Sequence, residues 1–178
     1  MGNNIVLIGF MATGKTAVGK ALAKKLKFKY VSTDDIVEKL AKMKIPEIFE
    51  KYGERRFREL ETKVLASLKK RKNSVISCGG GIVLKPGNIC KIKKLGTVFL
   101  LKASAKSIDS RLGNLKNRPL LNIRDSRKRI AEIRKILKIR ASFYLNAADH
   151  TVRTDTVPLN VVAGRICSKI KTSLHSGE

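Results

Sequence analysis

Short apolar runs alternate along the chain with longer stretches in which apolar residues recur every three or four positions. The runs at residues 4–9, 28–32, 74–78, 97–101 and 150–153 have the length and composition of strands, and helical patterns fill the intervals. Strands that alternate with helices predict an α/β fold with a parallel sheet covered on both faces. Over residues 53–70, Phe57, Leu60, Val64 and Leu68 define one apolar helix face, and Arg58 and Glu61, three apart, share a neighbouring stripe where they can pair. Over residues 126–140, Ile130, Ile133 and Leu137 fall on one side, with Arg127, Lys128, Arg134, Lys135 and Lys138 largely elsewhere. Between Arg111 and Arg124 the pattern breaks, and RLGNLKNRPLLNIR reads as a mobile loop rich in cations.

With 178 residues the chain has the size of one domain, and no apolar run approaches the roughly 18 to 20 residues of a membrane span. The opening MGNNIVLIGF passes at once into a glycine loop without the pattern of a signal peptide, so the expected location is the cytoplasm. Cys78, Cys90 and Cys167 are odd in number and irregularly spaced, which favours free thiols and gives zinc no ligand set with His150 and His175. The formal net charge of +25 admits a nucleic-acid partner or steering of anionic substrates. Lysines scattered from Lys20 to Lys171, few aromatics and no basic tail argue instead for a solvated basic surface.

The sharpest motif is GFMATGKT, in which Gly9, Gly14, Lys15 and Thr16 meet the spacing G-x-x-x-x-G-K-T between a predicted strand and a predicted helix. Backbone N–H groups at a helix start, here from Ala12, Thr13 and Gly14 through Ala17, suit phosphate oxygens, and the helix dipole favours the anion. Lys15 is suited to charge on the β and γ phosphates, and the Thr16 hydroxyl to Mg²⁺.

Further along stand Ser32-Thr33-Asp34-Asp35-Ile36-Val37-Glu38, Ile45-Pro46-Glu47-Ile48-Phe49, Gly53-Glu54 with Phe57-Arg58 and Glu61, the run Gly79-Gly80-Gly81, Arg118-Pro119-Leu120-Leu121, and Arg140 with Tyr144. In this order and spacing they resemble the shikimate kinase family over almost the whole chain. The resemblance implies phosphoryl transfer from ATP to the 3-hydroxyl of shikimate, on the way to chorismate and the aromatic amino acids. It implies a three-layer P-loop NTPase fold of the nucleoside monophosphate kinase kind, a five-stranded parallel sheet between helices. A lid at about 112–124 and a small substrate-binding subdomain at about 33–61 would complete a monomer.

By the same resemblance, Asp34 binds the substrate hydroxyls and helps deprotonate the attacking one. Arg58 and Arg140 grip the carboxylate, and the backbone of Gly79, Gly80 and Gly81 lines that pocket. Arg118 reaches the transferring phosphate, while Arg111 and the loop near Pro158 border the adenine. Chemistry supports these roles independently: a planar guanidinium is the best bidentate partner for a carboxylate, and a hydroxyl acceptor needs a carboxylate beside it.

The chain departs from the family where an aspartate usually opens the motif that contains Asp34, because Ser32 stands there. Ser77 and Cys78 occupy the end of the third strand, where many P-loop enzymes carry an aspartate. Thr16 is then the clear protein ligand for Mg²⁺, with Ser32 and Ser77 as neutral helpers and a raised Mg²⁺ requirement expected. Asp35 and the three cysteines are read as structural. The competing readings are a related kinase for a small acid such as gluconate, and a nucleotide-binding module without turnover.

Overall fold

The computed structural model describes residues 4–112, 121 and 123–175, the last five as backbone only. Five strands, β1 (Ile5–Ile8), β2 (Lys29–Ser32), β3 (Ser74–Ser77), β4 (Thr97–Lys102) and β5 (His150–Arg153), form one parallel sheet in the order β2-β3-β1-β4-β5. The helices are α1 (Lys15–Leu26), α2 (Thr33–Ala41), α3 (Ile45–Ser67), α4 (Pro86–Leu95), α5 (Ala105–Ser110), α6 (Ser126–Ala147) and α7 (Leu159–His175).

Strand side chains point alternately to the two faces, and both faces are buried. On one, Val6, Ile8, Val31, Ile76, Val98 and Leu100 pack with residues of α2, α3, α4 and α6. On the other, Ile5, Leu7, Val75, Phe99 and Val152 pack with Val18 and Leu22 of α1 and Val162 and Ile166 of α7. This three-layer arrangement is the fold expected from the alternating pattern. A third cluster joins Phe10 to Ala105, Ile108, Leu112, Leu121 and Ile133, so both described flanks of segment 113–120 are anchored in apolar contacts.

One helical segment starts where the sequence pattern predicts, and another runs further. The helix expected over 53–70 is the second segment of α3, which starts at Ile45 and is interrupted by non-helical backbone at Gly53, where φ is 73° and ψ 175°. Its start is fixed by Glu47, whose carboxylate accepts from Lys44 N at 2.8 Å. The helix expected over 126–140 continues to Ala147, because Tyr144 and Ala147 extend its buried stripe past the basic stretch. Among the described residues no helix is long and apolar enough to cross a membrane.

The order β3-β1-β4 makes β1 the place where the chain switches direction across the sheet. Parallel sheets open their ligand crevice beside such a switch, at the carboxyl ends of the strands. The loops after β1 and β3 lie there side by side: Cys78 N donates to Leu7 O at 2.9 Å, and a β-carbon on Gly80 would lie 3.3 Å from Met11 N.

Candidate active site

The loop after β1 is shaped by its backbone. Ala12 and Gly14 both have left-handed φ, 58° and 92°, and Gly14 caps α1. Left-handed residues in such a loop turn successive N–H groups into a concavity that suits an anion. Gly9 is required by space as well as conformation, since a β-carbon there would lie 2.4 Å from Leu101 O, with φ at 141°. Thr13 Oγ1 donates to Phe10 O at 2.7 Å and closes the loop on itself. Lys15 Nζ donates to Gly9 O and Phe10 O, both at 2.8 Å, which holds its ammonium over the concavity. Thr16 and Ala17 stand exposed in the first turn of α1.

These features fit a nucleotide's phosphates. They fit Mg²⁺ in a restricted sense: no group of three or more His, Cys, Asp or Glu among the described residues could cage a metal. Magnesium bound through phosphates and waters needs no such cage, and the Thr16 hydroxyl is the available protein oxygen at the loop. Ser32 is already employed, since its Oγ caps α2 by accepting from Asp35 N at 3.2 Å.

The second half of the site is built around Gly79–Gly81. Gly79 N donates to Thr33 Oγ1 at 2.9 Å, which ties the turn to α2. A β-carbon on Gly79 would lie 2.5 Å from Asp34 Oδ1 and 2.9 Å from Glu61 Oε1, and one on Gly81 would lie 2.5 Å from both terminal nitrogens of Arg58. Tyr144 Oη donates to Gly80 O at 2.5 Å, which ties the same turn to α6. One turn therefore touches Asp34, Glu61, Arg58, the phosphate loop and the helix that carries Arg140.

The electrostatics of this cluster follow from burial. Desolvation raises the Asp34 carboxyl above its ordinary range, Lys15 opposes the rise, Asp35 and Glu38 add to it, and Arg58 opposes it more weakly. Glu61 is fully buried and is pushed up to about 7 by desolvation, against the pull of Arg58. Among the described residues, Asp34 Oδ1 and Glu61 Oε1 are both buried without a hydrogen-bond partner. Buried polar atoms are nearly always satisfied, so two orphaned oxygens at one turn point to a polar ligand. Arg58 Nη1 donates to Glu61 Oε2 at 2.7 Å, which realises the pair predicted from their spacing. Arg140 lies with its guanidinium 5.7 Å from the Phe10 ring. Burial pushes the Tyr144 hydroxyl up to about 12, and the Arg140 charge opposes this.

Arg111 stands on the other flank of the phosphate loop. Its guanidinium donates to Thr154 O at 2.5 Å and to Asp155 O, and Thr154 Oγ1 donates to Thr13 O at 2.9 Å. Pro158 O accepts from Val161 N and Val162 N at the start of α7. Arg118 lies outside the described residues. Cys78 is buried, with its thiol pushed up by desolvation, Cys90 is exposed and Cys167 half-buried; all three are free, as expected from their spacing.

Glu61 and Tyr144 stand in the motifs quoted from the sequence but are given no role in the site there, and Thr154 stands in none of them. Glu61 is visible in the sequence as an acid on the stripe beside the apolar face of α3, three residues after Arg58. Tyr144 was legible only through its spacing from Arg140. Thr154 joins the Arg111 segment to the phosphate loop across 141 residues of sequence, and no local pattern signals that contact.

The family model for shikimate kinase matches residues 11–171. A shikimate kinase of Caldanaerobacter subterraneus is 45% identical over 92% of this chain and 93% of its own length. One of Thermodesulfovibrio yellowstonii is 44% identical, over 92% of each chain. Among solved structures, the shikimate kinase of Acinetobacter baumannii in complex with shikimate superposes with a TM-score of 0.90 at 35% identity, over 97% of this chain and 95% of that one. A nucleotide loop, a carboxylate-arginine cluster and a glycine turn on a five-stranded parallel sheet thus occur in a chain that belongs to the shikimate kinase family.

Proposed function

We propose that this chain transfers the terminal phosphoryl group of ATP to the 3-hydroxyl of shikimate, with Asp34, Arg58, Arg140 and Gly79–Gly81 holding the acceptor and residues 9–17 holding the phosphates. The observation that carries this assignment of roles is the glycine turn, which brings the predicted acceptor residues Asp34 and Arg58 against the phosphate loop.

Arg58 and Arg140 offer two guanidinium groups to one carboxylate, a planar match that fixes the ring's orientation. Asp34 faces a ring hydroxyl from the side of Gly79. Its raised proton affinity equips it to take the hydroxyl proton as the oxygen attacks phosphorus. Lys15 is within electrostatic reach of Asp34, so the cation for the phosphates and the base for the acceptor share one pocket. When bound, Mg²⁺ supplies neutralisation of phosphate charge, and Thr16 is the residue placed to hold it. Arg118, on the segment between Leu112 and Leu121, supplies a further cation to the transferring group, and Arg111 with Pro158 borders the base. Segment 33–61 is the acceptor-binding unit, and 112–124 is the lid. The protein works as a cytoplasmic monomer, and its +25 charge is a solvated basic surface rather than a nucleic-acid site.

ATP consumption by purified protein with shikimate across a Mg²⁺ series, with gluconate as the control acid, tests the reading. Turnover with shikimate alone is expected. Turnover with gluconate, or none with either from protein that still binds ATP, overturns it.

A further inference from the structure

Arg58 is gripped from two sides by unequal partners. At one end Nη1 donates to the fully buried Glu61. Along its other edge, Nε and Nη2 donate to a single oxygen of Glu54, at 3.1 and 2.7 Å. The Glu54 side chain is 61% exposed, against 17% for Arg58. The Nε–Nη2 edge is one of the two edges on which a guanidinium receives a carboxylate through two parallel hydrogen bonds, and the other is engaged through Nη1 by Glu61. Glu54 covers the Nε–Nη2 edge with one oxygen only, so an incoming carboxylate with two oxygens makes the better fit.

Glu54 also stands immediately after Gly53, the non-helical residue inside α3. Exposed ion pairs are weak because water and salt screen them and long side chains resist ordering. The contact to Glu61 is the permanent one and the contact to Glu54 the exchangeable one.

We infer that Glu54 is an internal competitor for the substrate carboxylate: it occupies the Nε–Nη2 edge of Arg58 in the empty enzyme and swings into solvent when the acid arrives. This rests on the reading of Arg58 as the carboxylate grip. Glu54 is thus a positioning and specificity residue. It keeps the guanidinium oriented and neutralised, and it sets a threshold that single-oxygen anions meet less well than carboxylates.

Full-length Glu54→Gln and Glu54→Ala test this. Both are expected to lower the KM for shikimate about two- to fivefold, the range that an exposed pair can withhold, while kcat and the KM for ATP stay within twofold. Inhibition by benzoate, a bare carboxylate, should strengthen by a similar factor. An unchanged or raised KM for shikimate in active variants overturns the inference and leaves the proposed function standing. A wild-type enzyme that turns over no shikimate removes the acid in question and overturns both.

Discussion

A β-carbon on Gly81 would lie 2.5 Å from both terminal nitrogens of Arg58. The backbone of Gly81, with φ at −102°, is open to any residue, so the glycine is required by the guanidinium and not by the turn. Nor can Arg58 simply yield, because the fully buried Glu61 holds its Nη1 at 2.7 Å. Gly81→Ala should therefore leave a folded enzyme whose KM for shikimate rises about tenfold, equivalent to roughly 1.4 kcal/mol, with the KM for ATP unchanged. Steady-state kinetics with each substrate varied in turn checks it.

Arg58→Ala goes further, since it removes the charged fork entirely. Shikimate binding should weaken by roughly 2–4 kcal/mol, the order measured when one partner of a buried charged pair is lost. The variant also strands the buried carboxyl of Glu61. The double variant Arg58→Ala/Glu61→Gln should recover stability without recovering affinity, and calorimetric titration with shikimate and ATP separates the two effects. Equal losses for both ligands would mean that α3 itself had been disturbed.

The fold was legible because each strand carries its own apolar run, and the phosphate loop because its chemistry is local: four residues at fixed spacing between a strand and a helix. The acceptor half was legible only as an ordered set of motifs. Its members come from α2, α3, α6 and the turn after β3, and their meeting at Gly79–Gly81 is a product of topology. Periodicity stopped short at Arg140 for the same reason. The last turns of α6 are fixed by Tyr144 reaching Gly80 O, a contact made 64 residues away.

Gly79 makes the corresponding test for Asp34. Its missing side chain leaves room for Asp34 Oδ1 and Glu61 Oε1, so Gly79→Ala should displace Asp34 from the place where it is proposed to act as base. Misplacing a catalytic group by an ångström costs about a hundredfold in rate. The expected signature is a fall in kcat that exceeds any rise in the KM for shikimate, the reverse of Gly81→Ala.

Ser32 caps α2 through its hydroxyl, and aspartate is an equally good cap. Ser32→Asp should therefore keep the helix start and add a carboxylate at the end of β2, on the same edge of the sheet as the phosphate loop. The Mg²⁺ concentration for half-maximal rate should fall. A Mg²⁺ titration at saturating ATP and shikimate checks it, and an unchanged midpoint would show that residue 32 does not reach the metal.

Glu61 gives the protein a stability that depends on pH in a defined direction. In the unfolded chain its carboxyl loses its proton near the ordinary 4.5, whereas in the folded chain burial holds the proton until about 7. Between these values the folded state binds more protons than the unfolded one, so raising the pH destabilises it. Above about 7 both states are ionised at this site and the loss is constant. The cost is that of ionising a fully buried carboxylate, offset in part by Arg58. Glu61→Gln removes the titration while keeping the shape and a hydrogen-bonding side chain. Urea unfolding from pH 4 to pH 8 should show wild type losing stability relative to Glu61→Gln through the window from 4.5 to 7. Parallel curves across that range would mean that Arg58 compensates the buried charge in full.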